Sequence, residues 1–579
     1  MGIRSYRLHQ AIVLTAACHD CRWSLEAPAY DAGIFAVLLL LLGVAGMLPR
    51  WARCITVAVG WLVLLLYSTD IFVSGLLNIR LHITDIIKYA GNIALNTSVA
   101  LPHLMSPSGA ALGVLTVAGC LAFWVLALRV RHGVRQLAGF VLMALGLIAA
   151  RTLPATTTYA AGPIYADYIT NNIPSGIDTP YSLEKRMNLD LQPPATQLCA
   201  TPSHAPRPVI LLVVESLSLY HSKKLSGIED YTPELDAIAD KYSHLQSFYA
   251  NGFSTDGGLI ALLTGYAPIP QVDRYNSIDI YQGYETPRQP LLSPLEAARI
   301  PTSYFSTSDL GFLGMGSWLK KLGFSYVEGP DHPFYDGMPR GTFNDPGDEA
   351  LYRRYLQWFD HERAPGPFFS IVQTITTHPP FIIPGSSQQG EEAAVRYADH
   401  ALGQFVRQLE QRGFLGNGIL IIMGDHRSMT MQRPGEVRAI GPAAQARVPA
   451  IIAGVGHRGV GGIVGQWQQA DFIPSVLAAM GLHSCTSDFQ GRFLEQRQQP
   501  KYILHAQGVE RDRVLVKVRD EPDLLFVQLD GDHTDWTYPP TPPTAHGEVI
   551  TEINRQRTRV PPAEANLATE VLRWNRMIP

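Results

Sequence analysis

Four apolar stretches within the first 153 residues constrain what this chain can fold into. They cover residues 32–48, 54–77, 109–128 and 137–153. A helix needs about 20 apolar residues to cross the ~30 Å hydrocarbon core of a bilayer, and each stretch comes near that length. Asp70 interrupts the second stretch and is interpreted as an interfacial residue. We therefore predict a transmembrane helical domain over residues 1–153 with four or five helices.

The distribution of arginine predicts how these helices are oriented. Short loops rich in Arg and Lys stay on the cytoplasmic side of a membrane. Arginines mark both short connections between stretches, namely Arg50, Arg53, Arg129, Arg131 and Arg135. Both connections should therefore be cytoplasmic, which places everything after residue 153 outside. Arg4 and Arg7 favour a cytoplasmic N-terminus, which would require a fifth crossing at 8–30, so four and five crossings both stay open.

Net charge separates the apolar part from the remainder. The chain has 579 residues and a net charge of −4, of which residues 1–165 carry +6 and residues 166–579 carry −10. With 46% hydrophobic and 17% charged residues, the composition excludes a disordered chain or a coiled coil. The acidic remainder offers no basic surface for a nucleic acid. No small-residue cleavage site follows the first stretch, so we expect no removable signal peptide.

Cysteine placement fits an exported C-terminal part. Only Cys199 and Cys485 lie after the apolar stretches, and a disulfide between them is a hypothesis that an oxidising compartment would favour. Cys18 and Cys21 have the spacing of zinc ligands, but no second pair accompanies them, so we expect no zinc there. The segment 79–107 is interpreted as an amphipathic segment on the outer surface.

Beyond residue 153 the sequence predicts a linker at 154–206 and then an α/β domain at 207–500. In this domain, β-branched runs of strand length alternate with helix-like segments, which predicts a mostly parallel central sheet covered on both faces. The strand candidates are 208–214, 368–374, 418–423 and 448–453. The helix candidates are 293–298, 315–322, 393–412 and 471–480. A small C-terminal α+β subdomain is expected at 501–579, with strands at 513–518 and 524–529 and a helix at 563–577.

Polar residues follow three of these strand candidates. Glu215 ends the first, His378 lies beyond the second, and Asp425 and His426 end the third. Ligands of parallel α/β sheets bind beyond the carboxyl ends of the strands, so these side chains can meet in one cleft. Two carboxylates and an imidazole suit a divalent cation such as Mn²⁺ or Zn²⁺. The pattern therefore predicts a metal site.

A hydroxyl nucleophile is predicted in the glycine-rich turn 251–258. The turn precedes an apolar, helix-like run, and a helix N-terminus favours an anionic phosphate. Ser254 and Thr255 both lie in this turn. An aliphatic hydroxyl is a weak nucleophile at neutral pH, and binding to a dication would lower its pKa.

Five motifs in this order resemble those of a known family. They are Val-Val-Glu215-Ser, Ser-Thr255-Asp-Gly-Gly-Leu, Thr-Thr-His378-Pro-Pro-Phe, Tyr397-Ala-Asp-His-Ala-Leu-Gly-Gln-Phe405 and Met-Gly-Asp425-His426. Behind several apolar helices, this series resembles the lipoteichoic acid synthase and phosphoglycerol transferase group. That group belongs to the sulfatase-like branch of the alkaline phosphatase superfamily.

The resemblance implies roles for individual residues. It implies that Glu215, Thr255, Asp425 and His426 bind one divalent metal, with Mn favoured and Zn or Mg as alternatives. It favours Thr255 over Ser254 as the nucleophile that becomes phosphorylated. It implies that His378 contacts the substrate phosphate or head group.

Two substrate-side residues are less closely matched to that family. The segment 305–316 aligns only loosely with a head-group-binding stretch, and Asp309 is its candidate polar lining. Arg427 pairs either with the substrate phosphate or with an outer carboxylate, and both interpretations stay open. Asp399 is interpreted as a packing or polar-face residue, and Asp471 as the cap of the helix that it begins.

The predicted function is that of a membrane-anchored transferase. It would move phosphoglycerol or a related head group from a membrane phospholipid to a glycan or lipid acceptor, with its catalytic domain on the periplasmic or extracellular side of the cell membrane. Alternatives are a phosphodiesterase or phosphatase that uses water, a phosphoethanolamine transferase, and a non-catalytic envelope-binding protein. Sulfate-ester hydrolysis is not expected, because Ser254 and Thr255 are not followed by the Pro and Arg that sulfatases need for formylglycine formation.

Overall fold

A computed structural model of the chain describes residues 31–77, 81, 104–105, 107–129, 134–152, 199–200, 204–268, 280–281, 284, 292–430, 433–441, 443–485, 494, 502–507, 513–518, 524–530 and 533–537. The chain divides into two compact units, an N-terminal and a C-terminal one. Several predictions lie outside the described residues, namely those on Arg4, Arg7, the fifth crossing, Cys18, Cys21, Arg131, nearly all of 79–107 and of the linker, and the helix at 563–577.

The N-terminal unit has four helices in its described residues, one for each apolar stretch. They are α1 Ala32–Met47, α2 Arg50–Leu77, α3 Pro107–Arg129 and α4 Val134–Thr152. Two of them, α2 and α3, contain windows long and apolar enough to cross a membrane, whereas the apolar parts of α1 and α4 are shorter. By length and composition alone, a multi-pass membrane domain is therefore not confirmed.

Close packing joins α2 to its neighbours. A Cβ atom on Gly60 would lie 2.1 Å from the Phe123 ring, so only glycine allows this approach of α2 to α3. Arg53 lies inside α2 rather than in a loop, and its guanidinium donates to the carbonyls of Leu48 and Leu128 at 3.0 Å each. A cation at two helix C-termini is favourable because the last carbonyls carry partial negative charge.

Exposed apolar side chains are concentrated on this unit. Among the described residues, every large apolar side chain that is classed as exposed lies on or beside these helices, except Val460 and Val464. Trp51, for example, is 75% exposed and Val114 68% exposed. Soluble proteins rarely expose apolar patches of this extent.

The C-terminal unit is built on an eight-stranded sheet in its described residues. The strands are β2 Val209–Val214, β3 Ser243–Tyr249, β4 Thr302–Ser306, β5 Tyr326–Glu328, β6 Phe369–Gln373, β7 Ile419–Gly424, β8 Ala450–Gly454 and β9 Gly462–Gln468. Their order is β5-β4-β6-β2-β7-β8-β3-β9. Only β8 runs antiparallel to its neighbours, so the predicted mostly parallel sheet is confirmed.

Both faces of the sheet are covered, as the β-branched runs predict. Residues 209, 211 and 213 of β2 pack into one apolar core, and residues 210, 212 and 214 pack into the other, because successive strand side chains point to opposite faces. The described helices of this unit are α5 Lys223–Ser226, α6 Pro233–Lys241, α7 Thr255–Thr264, α8 Ser293–Ala297, α9 Met315–Leu322, α10 Asp348–His361, α11 Glu391–Gln411, α12 Pro434–Ile440 and α13 Phe472–Ala479. All four helix candidates of the sequence are found within two residues of their predicted ends.

Two smaller sheets complete the described fold. One is antiparallel, in the order β11 Tyr502–Gln507, β12 Arg513–Val518, β13 Leu524–Asp530 and β14 His533–Thr537, which confirms both strands predicted there. The other pairs β1 Cys199–Ala200 with β10 Ser484–Cys485. Cys199 and Cys485 form the expected disulfide, which joins segments 286 positions apart in sequence.

Candidate metal and nucleophile site

The candidate site lies at the carboxyl ends of three adjacent strands. Glu215 directly follows β2, and Asp425 directly follows its parallel neighbour β7, with Val214 and Gly424 in register. His378 follows β6, which pairs with β2 on the other side. Parallel neighbours end at the same edge of the sheet, so these side chains emerge side by side.

The structure brings the four predicted ligand residues together. Glu215, Thr255, Asp425 and His426 are called the metal cluster from here on. Thr255 Oγ1 lies 2.9 Å from Glu215 Oε2 and 3.3 Å from His426 Nε2. His426 Nε2 lies 3.4 Å from Glu215 Oε1 and 3.4 Å from Asp425 Oδ2. Glu215, Asp425 and His426 are completely buried, whereas Thr255 is half-buried. The hydroxyl of the metal cluster is thus the member with access from outside.

Backbone geometry fixes the two carboxylates. Ser216 has φ 55°, an uncommon value for a residue with a side chain. Its N–H donates to Asp425 Oδ1 at 2.8 Å, and its hydroxyl donates to Glu215 Oε1 at 2.9 Å. The N–H of His426 also donates to Asp425 Oδ1, at 2.7 Å. Asp425 Oδ2 is left buried without a hydrogen-bond partner, which is costly unless a cation binds it.

The imidazole of His426 is oriented for a ligand role. Its Nδ1 lies 2.8 Å from the carbonyl oxygen of Arg427, so in the neutral ring that a metal requires, Nδ1–H donates there and the lone pair of Nε2 faces the metal cluster. Ligand atoms of Glu215, Asp425 and His426 all lie within 4.8 Å of one another. These residues fit a divalent cation, and a set of oxygen and nitrogen donors is compatible with Mn²⁺ or Zn²⁺.

Burial and mutual charges control the protonation of the metal cluster. Burial raises the pKa of Glu215, but the charge of His426 and its hydrogen bond to Glu215 outweigh burial and lower that pKa to about 2. Burial and the charge of Glu215 raise the pKa of Asp425 far above its usual range. Burial lowers the pKa of His426, but the neighbouring carboxylates raise it to about 9. Without a cation the cluster therefore retains protons, which a metal would displace because its ligands bind deprotonated.

The glycine-rich turn places Thr255 at the first residue of α7. Ser254 precedes it, and the Ser254 hydroxyl donates to Asp256 at 2.5 Å rather than to the metal cluster. A Cβ atom on Gly258 would lie 2.5 Å from the carbonyl oxygen of Asp425, and one on Gly252 would lie 2.4 Å from the backbone of Gly257. The glycines therefore allow the turn to approach the end of β7.

Three buried side-chain amides, those of Asn251, Gln468 and Gln469, support this turn, and their roles were not predicted from the sequence. The N–H of Asn251 donates to Gln469 Oε1, and its side-chain amide donates to Gln468 Oε1, both at 2.8 Å. The Asn251 amide also donates to the carbonyl oxygen of Leu504, in the C-terminal sheet, at 2.7 Å. Gln469 in turn donates to the carbonyl oxygen of Asp425. An Asn opening a glycine-rich turn was a usable signal for Asn251, whereas Gln469 carried none.

His378 lies beside the metal cluster and packs against an aromatic ring. It is 7% exposed, and its ring centroid lies 4.9 Å from that of Phe343. Its Nδ1 lies 2.5 Å from the carbonyl oxygen of Pro379, which leaves Nε2 as the unprotonated nitrogen of the neutral ring. Burial lowers the pKa of His378 and so favours that neutral form.

The remaining substrate-side residues have local partners. Half-buried Asp309 follows β4 and accepts from the N–H of Gly311 at 2.7 Å, which closes a turn. Arg427 donates from two nitrogens to the buried Glu436 at 2.8 and 2.7 Å, and its guanidinium lies over the Tyr220 ring. Of the two interpretations of Arg427, its contacts favour the carboxylate partner.

Two interpretations of acidic residues on helices need correction. Asp399 does not merely line a polar face, because its oxygens accept from the N–H groups of Glu234 and Leu235 and so cap α6. Asp471 makes no side-chain cap of α13; one oxygen accepts instead from the N–H of Gln468. A contact between two helices decided the role of Asp399, which local sequence could not indicate, whereas Asp471 caps the turn that precedes α13.

Comparisons with known proteins agree with the fold and the motifs. Residues 207–482 match the Sulfatase family model. A lipoteichoic acid synthase-like protein of Bacillus subtilis (strain 168) is 35% identical over 74 residues, which are 11% of this chain and 12% of that protein. Phosphoglycerol transferase I of Xanthomonas euvesicatoria pv. vesicatoria (strain 85-10) is 24% identical over 271 residues, which are 42% of this chain and 38% of that protein.

A solved structure shares the fold. A protein in the alkaline phosphatase superfamily from Vibrio parahaemolyticus aligns with a TM-score of 0.51 and 18% identity, over 69% of this chain and 99% of that one. The matches span only 12% and 38% of the two curated relatives' own lengths. The resemblance drawn from the motifs is nevertheless confirmed: residues 207–482 match the Sulfatase family, and two matching relatives carry the names of a lipoteichoic acid synthase-like protein and a phosphoglycerol transferase.

Proposed function

We propose that this chain is a membrane-anchored, metal-dependent phosphotransferase. It moves phosphoglycerol or a related head group from a membrane phospholipid to a glycan or lipid acceptor. One observation carries the proposal: the half-buried Thr255 hydroxyl meets Glu215 and His426 beside a buried oxygen of Asp425 that has no hydrogen-bond partner. The names of the curated relatives support the same class of reaction.

Glu215, Thr255, Asp425 and His426 would hold the cation. When bound, a dication lowers the pKa of a ligand hydroxyl and offsets negative charge on phosphoryl oxygens. Mn²⁺ is the favoured metal, with Zn²⁺ and Mg²⁺ as alternatives. Support from this chain is the mixed oxygen and nitrogen donor set and the orientation of His426 through its Nδ1.

The proposed reaction has two displacement steps. First, Thr255 Oγ1 attacks the phosphorus of the lipid phosphodiester, the bond from phosphorus to the diacylglycerol oxygen breaks, and that oxygen takes up the proton lost by threonine. Second, an acceptor hydroxyl attacks the phosphothreonine, the bond to Thr255 Oγ1 breaks, and threonine regains a proton. The hydrogen bond from Thr255 to Glu215 holds the hydroxyl toward the metal cluster before reaction.

His378 is proposed to contact the head group. In its neutral form Nε2 is a hydrogen-bond acceptor, which suits a hydroxyl of the head group better than a phosphate oxygen. Asp309 is proposed as polar lining at the end of β4. Arg427 is proposed to position the segment that carries His426, since two of its guanidinium nitrogens donate to the carboxylate of Glu436.

The N-terminal helices are proposed to anchor the enzyme in the cell membrane as a multi-pass domain. Their exposed apolar side chains and the arginines near their ends support this, with the catalytic domain outside the cytoplasm. The domain boundaries near 153, 206 and 500 are part of the same proposal. Anchoring would keep the catalytic domain close to its lipid donor.

The test is product analysis with the full-length protein in vesicles of phosphatidylglycerol labelled in the glycerol head group. With Mn²⁺ and a glycan or lipid acceptor, label should move to the acceptor and diacylglycerol should accumulate. Phosphatidylethanolamine vesicles in parallel test the alternative head group. Label appearing only as free glycerol phosphate, with or without acceptor, would indicate a phosphodiesterase. No diacylglycerol from either lipid with any of the three metals would overturn the proposal.

A further inference from the structure

A second acidic group lies beyond the carboxyl end of β6. It consists of Asp345, Asp348 and Thr376, and is called here the carboxyl–threonine cluster. All three side chains are buried, with 1%, 0% and 3% exposure. Asp345 follows a turn and Asp348 begins α10, whereas Thr376 lies two residues before His378.

One hydroxyl lies between two carboxyl groups in this cluster. Thr376 Oγ1 is 2.9 Å from Asp345 Oδ2 and 2.8 Å from Asp348 Oδ1. The N–H of Asp348 also donates to Thr376 Oγ1, at 3.2 Å. A hydroxyl has one hydrogen and can donate to only one carboxylate. If both carboxyl groups were ionised, one of these contacts would bring two oxygens together with no hydrogen between them.

A proton on one carboxyl group resolves the conflict, and the neighbouring donors identify which one. Asp348 Oδ1 already faces the N–H groups of Ile375 and Thr376, at 3.4 and 3.3 Å. Asp348 Oδ2 has no partner to which a proton could be donated. Asp345 Oδ1 accepts from the N–H of Gly347 at 2.7 Å, which leaves Oδ2 facing Thr376.

We propose that Asp345 is a protonated positioning residue, whose Oδ2–H donates to Thr376 while the Thr376 hydroxyl donates to ionised Asp348, so that the cluster holds the segment 374–378 and with it His378. Every polar atom in this series of hydrogen bonds, from Asp345 Oδ2 through Thr376 Oγ1 to Asp348 Oδ1, then has a partner. The inference deepens the proposed function, because it names a residue that acts on the site through His378.

The surroundings of the cluster favour a retained proton. The titratable groups that face it are Glu215, Tyr335, Tyr352 and Tyr397, none of which adds positive charge. Burial and the charge of Asp348 raise the pKa of Asp345 to about 7, against hydrogen bonds from Gly347, Thr307 and Thr376 that lower it. Burial also raises the pKa of Asp348, to about 6, against three hydrogen bonds that lower it.

The held segment also contacts the metal cluster. Thr374 Oγ1 accepts from the N–H of Glu215 at 3.0 Å, and the Thr377 hydroxyl donates to the carbonyl oxygen of Glu215. Phe343, which belongs to the turn before Asp345, packs its ring against His378. The chain from 342 to 348 therefore contacts the His378 segment twice, once through a ring and once through hydrogen bonds.

Glycine is required where this chain turns into α10. Gly347 has φ 96°, and a Cβ atom there would lie 2.7 Å from the Tyr397 hydroxyl oxygen. Since the N–H of Gly347 donates to Asp345, its conformation also orients the carboxyl group that carries the proton.

Paired substitutions test the assignment in the full-length protein. In Asp345→Asn the amide N–H can replace the carboxyl O–H as donor to Thr376, and the amide oxygen can accept from Gly347. In Asp348→Asn the amide nitrogen must face either the two N–H donors or the unpartnered side. We expect kcat for head-group transfer to stay within about threefold for Asp345→Asn and to fall at least tenfold for Asp348→Asn. The reverse order would overturn the assignment of the proton.

Two measurements do not depend on catalysis. The infrared difference spectrum of the wild type between mildly acidic and alkaline pH should contain protonated-carboxyl absorption from several buried acids, Asp399 among them. One component of this absorption should be absent from Asp345→Asn and present in Asp348→Asn. Amide hydrogen exchange of peptides covering 374–378 should rise in Asp348→Asn but not in Asp345→Asn. Protonated-carboxyl absorption that is unchanged in Asp345→Asn would refute the protonated state, and equal exchange in all three proteins would refute positioning.

Substitutions at Thr376 separate positioning from folding. Thr376→Ser keeps the hydroxyl and should retain at least half of the wild-type kcat. Thr376→Val removes the hydroxyl and should reduce kcat tenfold with little change in KM. Equal activity of the two variants would contradict the proposal. If the wild type transfers no head group at all, the proposed function fails, and the infrared and exchange measurements still decide the inference.

Discussion

The C-terminal unit contains two groups of buried acidic residues, and the two groups offset the cost of buried negative charge in different ways. In the metal cluster two carboxylates and an imidazole converge, and the oxygen of Asp425 that faces His426 has no donor. In the carboxyl–threonine cluster a single hydroxyl links the two acids, and one proton completes the pattern. Burying unpaired charge is costly in both. Each group also has a buried carboxylate oxygen without a hydrogen-bond partner, Asp425 Oδ2 or Asp348 Oδ2. The comparison teaches that the group shared by two buried acids, an imidazole or a hydroxyl, separates a candidate cation site from a candidate proton site.

The largest effect is expected at Thr255, because its half-buried hydroxyl is the member of the metal cluster with access from outside. Thr255→Ala should reduce head-group release from labelled phosphatidylglycerol by at least ~10³-fold, because the attacking oxygen is removed. Ser254→Ala is the matched control and should stay within a few-fold of wild type, since its hydroxyl is committed to Asp256. Comparable losses in the two variants would contradict the assignment of the nucleophile.

The pair of Arg427 and Glu436 shows a third way to stabilise a buried carboxylate, namely an ion pair with a guanidinium. Arg427→Ala leaves Glu436 buried without this partner and should lower the free energy of unfolding by about 3–5 kcal/mol. The double variant Arg427→Ala/Glu436→Ala should recover most of that loss in chemical denaturation. If single and double variants unfold alike, the pair does not act as a unit.

Metal addition distinguishes the two acidic groups directly. Mn²⁺ at ~100 times its dissociation constant should stabilise the wild type by about 2.7 kcal/mol, and chelation should reverse the shift in unfolding temperature. Asp425→Asn should lose this response, whereas Asp345→Asn should retain it. A metal response that depends equally on both residues would remove the distinction between the clusters.

The smallest effect is expected at Asp399, another buried acid, which caps α6. Asp399→Ala should lower the free energy of unfolding by about 1 kcal/mol. Burial raises the pKa of Asp399 to about 7, against an ordinary value near 4. Between these pH values the unfolded chain releases the proton that the folded protein keeps, so stability should fall as pH rises. Asp399→Asn should lose this contribution to the pH dependence of thermal unfolding. A pH dependence equal to that of the wild type would contradict the raised pKa of Asp399.

The metal cluster could be predicted from sequence, and the carboxyl–threonine cluster could not. Glu215, Asp425 and His426 directly follow apolar strand runs, and the rule that parallel strands end at one edge brings them together. Asp345 and Asp348 lie in a Pro- and Gly-containing connection that has no strand-end signal. Their partner Thr376 is about 30 positions further along the chain, and only the folded contact reveals the shared hydroxyl.

The same limit applies to strands. The apolar runs at β2, β6, β7 and β8 predicted half of the large sheet. β4 was missed because Thr302–Ser306 is rich in hydroxyl side chains, although every residue in it is buried. The structure explains the exception: the Ser303 hydroxyl lies 2.6 Å from that of Ser370 on β6, so a polar strand can be buried with its hydrogen bonds satisfied.

The most direct test of the central account is mass spectrometry of the peptide that contains Thr255, after incubation of full-length protein with phosphatidylglycerol vesicles and Mn²⁺ and without acceptor. The account predicts the added mass of glycerol phosphate on Thr255, absent from Thr255→Ala and removed when an acceptor is supplied. Diacylglycerol release with no adduct on Thr255, or an adduct on Ser254, would contradict it.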